Sequence, residues 1–166
     1  MKGVSMKLLV LFFTLIMSTS VLAGWRNEAR GVLKEYSYAC KNTQTSIDSI
    51  TANEWIQGHV TGLPTEAYDK FKVVFYVKTN RWYVHPYMYY EGQQEGYSYS
   101  NINSQGEFKV RTIKRAVPSK EMAVVLVPKS YKITSQKLWL KPLAGFLGGV
   151  LKFQCTHSRI EGNGDF

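Results

Sequence analysis

The middle of the chain crowds aromatic side chains into one stretch, and these residue types are suited to binding. Flat rings with a polar rim can stack on sugar faces or bury a protein partner at a small entropy cost. Alternation along a strand places Tyr83, His85 and Tyr87 on one face, opposite Trp82 and Val84. One of these faces is expected to point away from the core. The rings of this stretch are Trp82, Tyr83, Tyr87, Tyr89, Tyr90, Tyr97 and Tyr99.

Basic residues on neighbouring strands are expected to fringe these rings. They alternate with apolar residues that point inward, so they are predicted to face solvent. These basic residues are Lys72, Lys78, Lys109 and Arg111. The predicted ligand-binding set combines them with Trp82, Tyr83, His85 and Tyr87. Such a surface suits an acidic polymer. The alternative is that the rings only pack a β-sheet, where Tyr and Trp are common for packing reasons.

Catalytic motifs do not occur in the sequence. It contains no Gly-x-Ser-x-Gly, no glycine-rich phosphate loop and no His-Glu-x-x-His, and these are the patterns that mark nucleophilic, nucleotide-dependent and zinc-protease chemistry. Glycoside hydrolysis needs only two carboxylates, and Glu91 and Glu95 lie in a tyrosine-rich loop. Solvated loop charges are the simpler interpretation of this pair. We therefore predict no enzyme and no cofactor, with a small hydrolase as the weakest alternative.

The first 23 residues have the features of a signal peptide. Lys2 and Lys7 precede or flank an apolar run, Leu8–Met17. At about ten residues this run is too short to span a bilayer, which takes roughly 20. Val21 and Ala23 offer compact residues where a signal peptidase needs them, so cleavage after Ala23 is expected. An uncleaved signal anchor is the alternative.

Export would change what the basic charge means. Loss of Lys2 and Lys7 lowers the formal net charge from +9 to +7. Outside the cytoplasm, anionic polysaccharides and other envelope polymers are more available partners than nucleic acid. Solubility alone is the other reason for such a charge. We expect a protein of the periplasm or extracellular space that contacts no nucleic acid.

The two cysteines, Cys40 and Cys155, both lie in the part that would be exported. In an oxidising compartment they are predicted to pair and tie the ends of the domain together. His59, His85 and His157 are far apart in sequence and have few acidic neighbours, so no metal site is predicted.

The elements that must position these residues are mainly strands. Residues 25 to 38 show apolar spacing of three and four, which predicts a short helix. Alternate residues of Phe71–Thr79 form an apolar face, and Asn80-Arg81 joins this strand to Trp82–Tyr87 in a predicted hairpin. About seven short strands without intervening helices indicate an antiparallel, immunoglobulin-like β-sandwich. The predicted core residues are Phe71, Val73, Phe75, Val77 and Leu126.

The predicted organisation is one domain behind the leader. Residues 1–23 form the signal peptide and 24–166 the domain. The domain divides into a helical segment at 24–45, the sandwich at 46–131 and a C-terminal extension at 132–166. The extension is apolar but broken by glycines and a proline, too interrupted for a membrane span. It is interpreted as a covering strand or helix returned by the disulfide, with membrane contact as the alternative.

A series of motifs runs through the sandwich region. These motifs are Gly58–Pro64, Lys72–Thr79, Trp82–Tyr87, Ile102, Gly106–Thr112 and Val125–Pro128. Over residues 58–131, under half of the chain, the series resembles a β-sandwich module of exported bacterial proteins, some of which carry it beside carbohydrate-active domains. The resemblance implies an all-β accessory module in which the Trp-Tyr strand belongs to the fold. It implies no catalytic residues.

The function expected from these observations is non-catalytic binding at the cell envelope, with a polysaccharide or acidic polymer as the partner. The rival is a structural or protein-interaction component that docks through the edge of its aromatic strand. Rings spaced along a shallow groove with polar groups between them would favour sugar. An open strand edge beside a flat apolar patch would favour a protein.

Overall fold

The described part of the chain is mostly antiparallel β-structure behind a helical segment. It is a computed structural model that describes residues 24–51, 53–79, 82–85, 95–97, 99–113, 117–133 and 153–161. The predicted leader, the tyrosine-rich loop with Tyr87, Tyr89, Tyr90 and Glu91, and the apolar stretch at 134–152 lie outside these residues.

The helical segment covers residues 24–42. Helix α1 occupies residues 24–35, a turn follows at Tyr36, and helix α2 spans Ser37–Asn42. The Thr43 hydroxyl donates a hydrogen bond to the Ala39 carbonyl, 2.8 Å away, where the helix ends. The predicted N-terminal helix is therefore present, and it continues four residues beyond its expected end at Tyr38.

The described ranges then contain eight strands, with a 3-10 helix at Thr65–Lys70 between the second and third. They are β1 Gln44–Thr51, β2 Trp55–Thr61, β3 Phe71–Lys78, β4 Trp82–Val84, β5 Ser100–Asn101, β6 Glu107–Arg111, β7 Glu121–Pro128 and β8 Thr156–Glu161. The first sheet has the order β1-β2-β6. The second sheet has the order β4-β3-β7-β8, and β5 also pairs with β3. All of these strand pairs are antiparallel.

The main core lies between the two sheets. Ile56 and Val110 from the first sheet pack in one buried cluster with Phe75, Val124 and other residues of the second. The predicted core residues are confirmed, since Phe71, Val73, Phe75, Val77 and Leu126 are all fully buried. Alternation thus identified the inward face of β3 correctly.

The outer face of the second sheet is covered as well. Val74 and Tyr76 of β3 pack in a second buried cluster with Ala29 of α1, Tyr131 and Phe153. Every residue of β3 up to Val77 is buried, including those that alternation predicts to be outward. The described ranges therefore form three layers: the first sheet, the second sheet and a cover layer. The cover layer contains Ala29 of α1, Tyr131 and Phe153.

The disulfide between Cys40 and Cys155 is confirmed. It joins residues 115 apart in sequence, with their Cα atoms 5.0 Å apart, and ties α2 to the residue that precedes β8. β8 then pairs with β7, in the register Val125 to His157. The second sheet thus takes its last strand from the predicted extension at 132–166. Among the helices of the described ranges, none is long and apolar enough to cross a membrane.

Candidate functional site

The aromatic strand β4 does not present an open face of rings. Trp82 is 2% exposed and Val84 6%, both in the cluster under the cover layer. On the opposite face His85 is fully buried beside Phe75, and Tyr83 is half-buried against the core between the sheets. The expected exposed face is therefore wrong, because the second sheet is covered on both sides.

The four predicted basic residues lie on opposite sides of the sandwich. Lys72 and Lys78 point to the outer face of the second sheet, whereas Lys109 and Arg111 point to solvent from the first sheet. They do not form a single fringe, although three of them lie by rings of the predicted stretch: Lys72 by Tyr99, Lys78 by Trp82 and Arg111 by Tyr97. Alternation within a strand predicts its two faces but cannot tell which sheet the strand joins.

Lys72 does not face solvent as predicted, because only 4% of the residue is exposed. Its Nζ lies 4.7 Å from the centroid of the Tyr99 ring, within the range of a cation–π interaction. Burial, with the nearby charge of Lys129 as a smaller cause, lowers the pKa of Lys72 to about 8. Lys72 is therefore packed against Tyr99 on the second sheet, and its predicted solvent-facing position is wrong.

Lys78 takes part in a charged cluster around Trp82. Its Nζ forms an ion pair with the Glu121 carboxylate, and it lies 5.7 Å from the centroid of the Trp82 ring. The Arg159 guanidinium carbon lies 5.8 Å from the same centroid, and Arg159 reaches Glu121 at 4.0 Å. Two cations, Lys78 and Arg159, therefore lie near the Trp82 ring, and both are within reach of the Glu121 carboxylate.

A groove of about 510 Å³ lies on the outer face of the first sheet. This volume is within the range typical of small-molecule sites. One wall is the sheet itself, with Trp55 and Gln57 of β2 and Lys109 of β6. The other wall comes from the segment that contains Glu95, Asn101 and its neighbours. We call this feature the groove.

The second wall is held against the free edge of β6 by backbone hydrogen bonds. The Arg111 N–H donates to the Gly96 carbonyl at 2.7 Å, and the Lys109 N–H donates to the Ser100 hydroxyl at 3.0 Å. These bonds satisfy an edge that would otherwise be open to pairing. The groove is therefore built from regular strand geometry on one side and an anchored segment on the other.

The turn that leads into β6 positions two polar groups. The Asn103 side-chain oxygen accepts hydrogen bonds from the backbone N–H groups of Gln105 and Glu107. Gly106 has a φ of +85°, a conformation that a side chain would strain. The Asn103 amide also donates to a Glu107 carboxylate oxygen at 2.8 Å. Both side chains thereby line the groove in a defined arrangement.

A β-bulge supplies further polar groups from β1. The register of β1 against β2 shifts between Ile47 and Ser49. Because a bulge breaks the alternation, Asp48 and Ser49 are both exposed and both line the groove. The described lining thus includes three carboxylates, from Asp48, Glu95 and Glu107.

The ring of Trp55, which lines the groove, lies near a cation, and so does the ring of Tyr97. Lys109 Nζ lies 4.3 Å from the centroid of the half-buried Trp55 ring. The Arg111 guanidinium carbon lies 5.9 Å from the centroid of Tyr97. Arg111 thus lies by Tyr97, a ring of the predicted stretch, whereas Lys109 lies by Trp55, which is not part of that stretch.

A row of three polar side chains beside the groove does not have the geometry of an activated nucleophile. The row consists of Ser46, His59 and Asp48. His59 Nδ1 lies 2.8 Å from an Asp48 oxygen, and the two side chains are 44% and 49% exposed. The Ser46 oxygen is 3.2 Å and 3.1 Å from the two ring nitrogens, so it is not directed at either one. We interpret the row as cross-strand polar pairing, since Ser46 lies opposite His59 in the sheet.

The other histidines and the predicted carboxylate pair are dispersed. His85 Nε2 lies 2.6 Å from the Thr112 hydroxyl between the sheets, and His157 lies on β8. Within the described ranges no group of three or more His, Cys, Asp or Glu residues could hold a metal ion. Glu95 lines the groove, but Glu91 lies outside the described residues, so the pair has no measured separation.

The sequence analysis missed the residues that form the floor of the groove. Trp55, Gln57 and His59 alternate with buried Ile56, Gly58 and Val60. This pattern marks a half-buried strand, and it could have identified Trp55 as a solvent-facing ring. The contribution of Glu107 had no such signal, because it depends on pairing between β2 and β6.

Comparisons with family models, with curated proteins and with solved structures found no match to this chain. The resemblance of residues 58–131 to an exported β-sandwich module therefore stays a prediction, and the functional argument rests on the groove.

Proposed function

We propose that this protein is a non-catalytic binding module of the cell envelope that contacts carbohydrate through the groove. The observation that carries the proposal is the half-buried Trp55 ring within a groove of about 510 Å³. Sugars present an apolar ring face and a polar rim. Trp55 can stack on the face while amides such as Gln57 and Asn103, with the groove carboxylates, bond to hydroxyl groups.

Export is part of the same proposal. The lysines, short apolar run and Ala23 site of residues 1–23 support it. The Cys40–Cys155 bond supports it as well, since disulfides persist in oxidising compartments. We expect the mature chain to start at Gly24, which mass spectrometry of protein from its native host would measure. Retention of Met1 would contradict export by this route.

For the fold, the finer proposal is an immunoglobulin-like sandwich. Two antiparallel sheets that enclose an apolar core support it. An experimentally determined strand order that differs from the immunoglobulin pattern would reduce the assignment to an antiparallel two-sheet fold. The binding proposal does not depend on this assignment, because the groove uses only the first sheet and the segment beside it.

The direct test of function is a glycan array with the mature protein, followed by calorimetry of Trp55→Ala with any glycan that binds. Loss of the stacking ring is expected to cost about 1 to 3 kcal/mol of binding, by analogy with bases that stack on aromatic residues. Tyr38→Ala is the matched control, since Tyr38 is an aromatic residue on α2 that is 79% exposed. Binding that is unaffected by Trp55→Ala would contradict the groove as the site.

A protein partner at β4 is the second candidate. The observation in its favour is that, among the described strands, β4 ends the strand order of the second sheet. Strand edges accept a partner strand by backbone hydrogen bonding. Capture of envelope proteins by a mature chain that binds no glycan would favour this candidate.

A small hydrolase that uses Glu91 and Glu95 would require cleavage of a glycan, with loss of cleavage in Glu95→Gln.

A further inference from the structure

The charge balance in the groove is the reverse of that in the chain. The chain carries 21 Lys and Arg residues against 12 Asp and Glu. Among the described residues, the groove is lined by the carboxylates of Asp48, Glu95 and Glu107 and by one lysine, Lys109. Of the carboxylates, Asp48 pairs with His59 and Glu107 accepts the Asn103 amide. A cleft with this balance repels a polyanion and attracts a cation.

An ammonium group of the chain itself already occupies the ring in this groove. Lys109 Nζ lies 4.3 Å from the Trp55 centroid, within the distance at which the ring quadrupole attracts a cation. Lysine is a compact charge on a flexible stem. The side chain can therefore turn toward solvent and leave the ring face to another primary ammonium. The position of Lys109 thus shows the chemistry that this part of the groove accepts.

We infer that the groove binds a glycan that carries free primary amines, such as an oligomer of de-N-acetylated amino sugars. The sugar ring displaces Lys109 and stacks on Trp55, and the ammonium group of the sugar points toward the groove carboxylates. This inference rests on the proposed function and names the substrate class of the same site. It also replaces the acidic polymer that the basic residues alone would suggest.

The experiment compares four ligands by isothermal titration calorimetry on the mature, disulfide-bonded protein. They are a glucosamine oligomer, the N-acetylglucosamine oligomer of the same length, an oligogalacturonate and spermidine. At mildly acidic pH we expect the glucosamine oligomer to bind about tenfold more tightly than its acetylated counterpart, a difference of about 1.4 kcal/mol. The preference is expected to shrink as salt is raised, because the groove is open to solvent.

Isosteric variants separate charge from shape. Glu95→Gln and Glu107→Gln should each weaken the glucosamine oligomer about three- to tenfold more than they weaken the acetylated oligomer, because both oligomers lose a hydroxyl contact but only the first loses the charge. Glu66→Gln is the matched control, since Glu66 is exposed in the 3-10 helix and does not line the groove. Lys109→Met should strengthen binding of the glucosamine oligomer, because it removes the competing ammonium. Circular dichroism of each variant checks that it folds.

The outcomes distinguish this inference from the proposed function. Equal binding of the two oligomers, tighter binding of the oligogalacturonate, or weaker amine binding in Lys109→Met would overturn the inference. If Trp55→Ala still weakened a glycan, the proposed function would survive that result. Spermidine that binds as tightly as the glucosamine oligomer would overturn the requirement for a sugar. Binding of no glycan at all would overturn both.

Discussion

The outer faces of the two sheets differ in what covers them. Ala29, Tyr131 and Phe153 cover the second sheet, and β3 has no solvent-facing side. On the first sheet, β2 alternates regularly between buried and solvent-accessible residues. Trp82 and Trp55 make the contrast concrete, since the first is 2% exposed and the second lines a groove. Aromatic side chains of similar chemistry thus contribute to stability in one region and to a candidate site in the other.

The difference shows that the role of a residue depends more on whether other parts of the chain bury it than on its amino-acid type. Lys72 and Lys109 each lie over an aromatic ring, at 4.7 Å and 4.3 Å. Lys72 is buried, whereas Lys109 is exposed at the groove. Only the second is positioned to exchange its ring contact for one with a ligand.

The largest expected effect tests this contrast between the two tryptophans. Trp82→Ala should lower the free energy of unfolding by about 3 to 5 kcal/mol, because it empties a packed site between the second sheet and its cover. Trp55→Ala should cost about 1 kcal/mol or less, since its ring is not enclosed. Urea denaturation of both variants measures the difference. Equal losses would mean that the Trp55 ring is a core residue and would remove the basis of the site.

The disulfide is expected to have the next largest effect. The double variant Cys40→Ser, Cys155→Ser should lose about 2 to 4 kcal/mol of stability, because a bond across a long loop restricts the unfolded chain. The bond joins α2 to the residue before β8 and packs against the core between the sheets, and neither cysteine lines the groove. Glycan binding in the folded double variant should therefore stay within about twofold of wild type. Loss of binding without loss of stability would show that the bridge shapes the groove.

A smaller effect concerns pH and the buried lysine. The pKa of Lys72 is lowered to about 8 in the folded protein, against about 10.4 in an unfolded chain. Between these values the unfolded state binds more protons, so this group makes the free energy of unfolding rise with pH. Below about pH 8 Lys72 is charged in both the folded and the unfolded state, so the full cost of burying this charge lowers the free energy of unfolding.

Lys72→Met removes this dependence, so wild type should gain stability relative to the variant as pH increases from about 8 to about 10. Urea denaturation of both proteins across this range measures the gain, which is expected to be on the order of 1 kcal/mol after solvent screening. Tyrosine ionisation affects both proteins and largely cancels in the comparison. Parallel stability curves would contradict the burial of Lys72.

The smallest effect is expected at the rim of the covered sheet. Lys78→Ala should cost under about 1 kcal/mol, because the Lys78–Glu121 pair is about a quarter to a third exposed. Arg159 also remains within reach of Glu121 and the Trp82 ring. Thermal unfolding of Lys78→Ala beside Trp82→Ala compares the ring with its cation. A loss as large as that of Trp82→Ala would place the cation, rather than the ring, at the centre of this contact.

Local patterns predicted the elements well and their surroundings poorly. The alternation in Phe71–Lys78 correctly placed Phe75 between the sheets, because period two follows from strand geometry itself. The same alternation put Lys72 in solvent, and it is buried. The ring that lies against it, Tyr99, belongs to a segment 27 positions further along the chain. No periodicity within β3 contains that information.

The sequence by itself determined most strands of the sandwich region, the inward face of β3, the N-terminal helix and the pairing of the two cysteines, since each depends on spacing or on residue type. Only the tertiary structure added β8 to the second sheet and decided which face of each sheet meets solvent. It buried Trp82 and Lys72 and left Trp55 in a groove with Lys109 and Glu107. The physical reason is that burial is set by residues distant along the chain, whereas periodicity records only the immediate neighbours of a residue.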